Sequence, residues 1–514
     1  MTTILLEEGS LSSLLFDSAP AKKKQSLLSK LITSVGNFSV QYNFQSISVS
    51  LIIMAASVCT TDDDACREGD QAPWVMSSAT ATVFVGAITG QLSMGYLGDL
   101  IGRDQAMTIT LGLVSVAAML SAAAPTGSAS SVYITIIATR FLLGIGVGGV
   151  YPLAAVKAAE DGGGGDGGVD MQAAAWAFFW QVPGSMTPWL LALIFSYCDM
   201  SNNTRWRLLL GLGAVPAAFV VVCSVVEMRI KKREKELDRS AHEPLIPPGQ
   251  SGKQKYRAEN PLHSHSLAHA HKANETELKH RRTPTAWELL QLRKTWVSLL
   301  VSGGCWFIYD VAYYGVNLFG GEILTAINAS DDDNVSADTS IHRVAMQQLL
   351  ALSMGIPACI GAIYSLQCMS LKTLQVYGFL FITACFLLLA CLFAPLSHGP
   401  LKNTDMLFAL YCLLLFSLTY GPNLTTFILP AQMYPREVRA TFNGISAACG
   451  KLGAFTGVYV FGPLAETTSY ATVMVVCAAL CVVGALISEV CIVPLKADDS
   501  DDSLDESDDD SVIQ

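Results

Sequence analysis

The sequence predicts an all-α membrane protein of twelve transmembrane helices, arranged as six plus six. Three observations carry that expectation. Apolar runs of about 20 residues, the length that crosses a bilayer core, recur along the whole chain. Of the 514 residues, 51% are hydrophobic and 15% charged, with a mean hydropathy of +0.42; a soluble domain carries about 25% charge. A polar, basic segment at 229–294 divides the runs into two groups of six. A membrane barrel would show shorter segments of alternating polarity, and the chain has no such alternation.

Each element follows from its own residues. The N-terminal segment 1–35 is expected to be cytoplasmic; its start, MTTILLEEGSLSSLLF, has neither a basic leader nor a clear small-residue cleavage site, so the first run is expected to serve as the insertion signal. Lys22, Lys23, Lys24 and Lys30 precede that run and favour a cytoplasmic N-terminus. Helices are expected over 36–58, 74–98, 103–124, 130–155, 169–197 and 206–228, a first bundle spanning 36–228. The linker at 229–294 opens with RIKKREKE and later reads KHRRTPT, which marks it as cytoplasmic. The second bundle, 295–493, is expected from runs at 296–327, 341–367, 372–395, 404–430, 437–463 and 469–493. An even number of crossings returns the C-terminus to the cytoplasm. The tail at 494–514 supplies much of the acid behind the net charge of -11 and is too polar to pack.

The 14 cysteines are scattered, mostly within apolar runs, and form no spaced metal framework. Cys59 and Cys66 differ, because they flank an acidic loop expected outside the cell; a disulfide there and two free thiols are both open. His263, His265, His269 and His271 have no interleaved cysteine or acid, so they read as linker. The Gly-rich stretch at 161–168 has no GK[ST] after it and no strand before it, so it reads as a flexible connection. Acceptor sequons begin at Asn202, Asn328 and Asn334 in expected outer loops. No metal, cofactor or nucleic-acid partner is expected, and the oligomeric state is open. An enzyme is not expected, because no nucleophile–base set or metal site lies at membrane depth.

Chemistry concentrates in a few runs. Residues 421–454, GPNLTTFILPAQMYPREVRATFNGISAACGKLGA, place Asn423, two threonines and Lys451 at or near membrane depth. Such groups are costly there and mark a substrate or ion path. In CWFIYDVAYYGVNLF, Trp306, Asp310 and Tyr314 fall at i, i+4 and i+8, along one stripe of a helix. The fifth run carries Gln181 in WAFFWQVPGS, an amide able to donate to an anion without trapping it. GYLGDLIGRDQ joins the second and third runs, and the fourth reads RFLLGIGVGGVYPLAAVKAAE.

These motifs resemble the phosphate:proton symporters of fungi and plants, within the major facilitator superfamily, over about residues 36–493. The resemblance implies the major facilitator fold, in which two six-helix halves rock about a site near the bilayer midplane. It implies a substrate site of Tyr151, Gln181, Trp306, Asp310, Tyr314, Asn423 and Lys451, with Lys451 as the positive charge for an anion. It implies gating roles for Asp99 and Arg103 in the cytoplasmic signature, and for Arg140 and Glu160 in the fourth helix. Asp104 stands where the signature has a second basic residue, so a weaker latch is expected. The family's acids in the first and fourth helices are missing, with Val40, Asn43 and Val150 in their places, and Gln432 replaces another. The expected function is therefore transport of inorganic phosphate or a phosphate-like anion by alternating access. Protons are an optional partner, and movement down the anion gradient is slightly favoured. Carriage of another solute, an organic ion or sugar, and a non-transporting sensor are the alternatives. A multi-pass protein of the plasma membrane or an organelle membrane is expected, with both termini cytoplasmic.

Overall fold

The structure is a computed structural model that describes residues 21–59, 64–67, 70–71, 73–162, 169–242, 285–328, 337–397 and 402–492. The four linker histidines, the Gly-rich residues 163–168, Asn334 and the acidic tail lie outside the described residues. Twelve long helical segments occupy the twelve expected runs. In the first bundle they are α1 (Ala21–Val58), α2 (Pro73–Ile101), α3 (Arg103–Ala122) and α4 (Ala129–Gly162). Next come α5 (Met171–Phe179 and Gln181–Ser196) and α6 (Asn202–Leu212 and Ala214–His242). In the second bundle, α7 comprises Arg293–Leu299, one π turn at Leu300–Gly304 and Cys305–Asn328. It is followed by α8 (Ala337–Ser353 and Gly355–Ser365) and α9 (Leu371–Ser397). The last three are α10 (Thr404–Thr419 and Pro422–Met433), α11 (Arg439–Thr467) and α12 (Tyr470–Cys491).

Among the described residues, ten helical spans are long and apolar enough to cross a membrane. α1 and α2 are also long and pack inside the same bundle. α1 is diluted by polar side chains, but it turns them inward: Asn37, Ser39, Asn43, Ser46 and Ser50 are all buried. A polar inner face is tolerable at membrane depth when the bundle supplies partners. Large apolar side chains such as Val116, Ile134 and Leu486 are exposed on the outside, where lipid would solvate them.

Three boundaries differ most from expectation. α1 begins at Ala21, well before the apolar run, α4 continues to Gly162, past the expected 155, and α6 continues to His242, fourteen residues into the basic segment expected to be linker. RIKKREKELDRSAH contains mostly good helix formers and an i,i+4 Lys232–Glu236 pair, so the helix propagates past the apolar stretch. At the C-terminal end of α1, Cys59 and Cys66 form a disulfide with Cα atoms 5.4 Å apart. It fastens the helix to a two-stranded hairpin, β1 (Cys66–Arg67) with β2 (Asp70–Gln71).

Glycines set how closely the helices approach. α10 breaks at Gly421, which has φ of 97° and lies against Gly378 of α9. A Cβ on Gly378 would meet Pro422 Cδ at 2.3 Å. Between the bundles, α2 crosses α11 at Gly95 and Gly444, where a Cβ on Gly95 would meet Ala440 O at 2.6 Å. Small residues at such crossings let backbones touch and slide.

Candidate functional site

A central cavity of about 60 Å³ lies between the bundles, lined by α1, α4, α5, α7, α8, α10 and α11. Tyr151, Gln181, Trp306, Asp310, Tyr314, Asn423 and Lys451 all line it. Lys451 stands twelve residues into α11, about 18 Å from that helix's N-terminal end at 1.5 Å per residue. Tyr151 is eleven residues from the end of α4, a similar depth.

The chemistry is organised around Lys451. Its Nζ donates to Asp310 Oδ2 at 3.0 Å and to Tyr314 Oη at 3.2 Å. Both charged side chains are only 3% exposed. The ammonium also sits over the rings of Tyr314 at 4.8 Å, Tyr151 at 5.1 Å and Phe44 at 5.7 Å. A cation at an aromatic face is stabilised by the ring quadrupole. The positive charge expected to await an anion is thus already paired. Asp310 and Lys451 cancel, and the site carries no net charge.

On the opposite wall, amides form a chain that sequence reasoning missed. Gln41 donates to Tyr151 Oη at 3.0 Å and to Gln181 Oε1 at 2.9 Å. Gln181 Nε2 in turn donates to Asn37 Oδ1 at 2.8 Å. Asn37 and Gln41 are i,i+4 in α1, a spacing visible in the sequence, but attention to the missing acids at Val40 and Asn43 passed over it. Those positions have structural roles instead. Val40 and Val150 belong to the core, and Asn43 donates to Ser39 O and Gly213 O.

Aromatic contacts join the helices around the cavity. Phe427 of α10 meets Tyr151 at 6.4 Å and Phe178 of α5 at 5.1 Å. Phe84 of α2 meets Tyr314 edge-on at 5.0 Å, two turns of α7 beyond Trp306. Tyr197 of α5 and His342 of α8 are hydrogen bonded at 2.6 Å.

Asp99, Arg103 and Glu160 meet at the end of the bundle where α2 passes into α3, the end expected to be cytoplasmic, and reach across to α11. Asp99 accepts from Thr441 N at 2.7 Å, Thr441 Oγ1 at 2.6 Å and Ala440 N at 3.3 Å. The carboxylate caps the first turn of α11 from another bundle, where free N–H groups and the helix dipole favour an anion. Arg103 bridges Asp99 at 3.1 Å and Glu160 at 3.3 Å, and donates to Arg436 O at 2.6 Å. Glu160 also holds Arg439 of α11 at 3.0 Å.

Two residues singled out in the sequence lie apart from this cluster. Arg140 does not reach it. It lies twenty residues before Glu160, about 30 Å along α4, where it donates to Ser121 Oγ and Asn43 O within the first bundle. Asp104, which stands where the signature has a second basic residue, belongs to a separate network. It binds Lys157 at 2.5 Å and Lys231 at 2.5 Å. Lys157, buried within the bundle, also binds Asp161 at 3.0 Å and Glu227 at 3.0 Å. Asp161 further accepts from Ser29 of α1.

A family model described as "Sugar (and other) transporter" matches residues 30–499. The chain belongs to that family. It is an integral, multi-pass membrane protein of a transporter family, not an enzyme family. Over 463 residues it is 33% identical to inorganic phosphate transporter PT2 of Toxoplasma gondii, covering 90% of this chain and 70% of that protein. Over 460 residues it is 30% identical to inorganic phosphate transporter 1-6 of rice (Oryza sativa subsp. japonica), covering 85% and 82%. Among solved structures, it resembles the proton:xylose symporter XylE bound to 6-bromo-6-deoxy-D-glucose, with a TM-score of 0.64 at 15% identity, covering 90% of this chain and 95% of that one. It also resembles inward-open XylE from E. coli, with a TM-score of 0.58 at 16% identity, covering 91% and 97%. At those identities the likeness establishes the major facilitator fold and no more.

Proposed function

We propose that this family member carries inorganic phosphate across its membrane by alternating access. The observation that carries the reading is the enclosed Lys451, flanked by hydroxyl donors from Tyr151 and Tyr314 and by the amides of Gln41, Gln181 and Asn423. One cation and several neutral donors suit a small oxyanion, which needs many hydrogen bonds and limited charge. A sugar site would not require a buried lysine. The names of the relatives at 27–33% identity support the same substrate. The N-terminus and the 229–294 segment are assigned to the cytoplasm on their basic residues, and the C-terminus follows from an even number of crossings.

The charge balance adds a role for Asp310. Dihydrogen phosphate entering a neutral site leaves one uncompensated negative charge, which is costly to bury. A proton arriving on Asp310 removes its charge and frees Lys451 to pair with the anion. The loaded site is then neutral again. This favours phosphate entering together with one proton, with Asp310 as the proton site, over transport that follows the anion gradient alone. Val40, Asn43 and Val150 do not titrate, so no acid at those positions shares the task.

The test is radiolabelled phosphate flux into proteoliposomes with and without an imposed pH gradient. Uphill accumulation driven by the proton gradient, lost in Asp310→Asn while phosphate exchange persists, is the expected result. Wild-type flux indifferent to the pH gradient returns Asp310 to an orienting role. Absence of phosphate flux, with flux of another solute, removes phosphate as the substrate.

A further inference from the structure

The crossing of α2 and α11 holds two side chains that nothing above employs. Gln91 and Asn443 are fully buried, at 0% exposure each. None of their four side-chain polar atoms has a hydrogen-bond partner among the described residues. The amides along the cavity wall behave differently: buried Asn37 and Gln181 and half-buried Gln41 bond to one another. Gln91 and Asn443 belong to opposite bundles and flank the tightest approach between them. A Cβ on Gly444 would meet Gln91 O at 2.3 Å and Gly95 Cα at 3.4 Å.

Their depth matters. Asn443 is two residues beyond Thr441, which bonds Asp99 in the latch. Gln91 is eight residues, about 12 Å, before Asp99 on α2. Both amides therefore lie just inside the closed cytoplasmic end, between the latch and the cavity. They are on surfaces that must part if the cytoplasmic side opens. A buried amide without a partner has lost its hydration and gained nothing in exchange. When the bundles separate there, the same groups meet water.

We propose that Gln91 and Asn443 are a built-in bias toward cytoplasmic opening, set against the stabilising contacts of Asp99, Arg103, Glu160 and Arg439. The latch alone would hold the cytoplasmic end shut in every state of the site. Two strained amides behind it keep the closed and open arrangements close in free energy, which a carrier that cycles requires. The inference rests on alternating access and is independent of phosphate as the substrate.

The experiment is hydrogen–deuterium exchange of the full chain in micelles without phosphate, read in peptides covering residues 90–98 and 440–447. Wild type is compared with Gln91→Met, Asn443→Leu and their combination, and with Asp99→Asn as the reference for a loosened latch. The apolar replacements are expected to slow exchange in both peptides at least tenfold, a shift of about 1.4 kcal/mol. They should also raise the unfolding temperature, whereas amides that merely braced the fold would lower it on removal. If either single variant fails to fold, the other is read by the same criterion. Faster exchange in Asp99→Asn with no slowing in the apolar variants overturns the proposal. Exchange unaffected by Asp99→Asn as well would instead remove the cytoplasmic gate on which the inference rests. A lower unfolding temperature in the apolar variants also overturns it.

Discussion

Replacing Lys451 by methionine separates the two roles the structure gives that side chain. Met fills most of the volume and removes only the charge and the donors. In the empty protein, Asp310 then loses its 3.0 Å partner while staying buried. Breaking a buried pair from one side costs about 3–5 kcal/mol, because the remaining charge is uncompensated. Removing Asp310 as well, in Lys451→Met with Asp310→Leu, should recover most of that loss, since the stranded charge is gone. Phosphate binding responds differently. A hydrogen bond to a charged group contributes about 1.5–3 kcal/mol, so both variants should bind phosphate about 10- to 100-fold more weakly. The assay is thermal unfolding with and without phosphate. At one hundred times its Kd, a ligand stabilises by about 2.7 kcal/mol, and a site weakened a hundredfold gains only about 0.4 kcal/mol at the same concentration. Full phosphate stabilisation of Lys451→Met would refute the assignment of the lysine to the anion. A double variant as unstable as the single would refute the charge argument itself.

The other contacts give shorter tests. Lys157→Met should destabilise the first bundle by about 3–5 kcal/mol, because it strands Asp104, Asp161 and Glu227 together, with Lys231 alone to balance them. Thermal unfolding measures it, and the cavity's phosphate response should survive at lower temperature. Glu160→Gln removes the charge shared by Arg103 and Arg439, and should shift the protein several-fold toward an open cytoplasmic face. Protease or thiol-reagent access to the cytoplasmic end of α11 reports that shift, and unchanged access would exclude Glu160 from the latch.

Much of this was readable in the sequence because it is local. Apolar runs of membrane length need no tertiary information, and the stripe of Trp306, Asp310 and Tyr314 follows from helical spacing alone. That Asp99 and Arg103 lie together follows from their i,i+4 spacing, while the latch role rests on the family resemblance. What escaped the reading depends on partners far away in the chain. Lys157 looks like an ordinary residue at a helix end until α3, α4 and α6 bring three carboxylates to it. Asp104 looked like a defect in the latch because its true partners, Lys157 and Lys231, are 53 and 127 residues away. Arg140 shared a motif with Glu160 but not a location, since twenty residues of straight helix separate them. The pairing of Asp310 with Lys451 was equally invisible. The two are 141 residues apart on different helices, so no local spacing links them.

The same helices carry the cavity and the latch, and this allows one to inform the other. α11 holds Lys451 at the site and Arg439, Ala440 and Thr441 at the latch, ten to twelve residues or about 15–18 Å apart. α4 holds Tyr151 at the site and Glu160 at the latch, nine residues apart, about 14 Å. A helix of that length transmits a shift of one end to the other without needing a chain of side chains between them. An unpaired charge in the cavity would disfavour any rearrangement that dries the site, whereas a neutral site would not. The empty pair of Asp310 and Lys451 is neutral, and so is the site holding one dihydrogen phosphate with a proton on Asp310. The intermediate loads, anion alone or proton alone, each leave a net charge at mid-membrane. With Asp310 as the proposed proton site, rocking of α4 and α11 is expected for the empty and fully loaded carrier and resisted for the half-loaded one, so the proposal predicts that phosphate accumulates only when a proton moves with it.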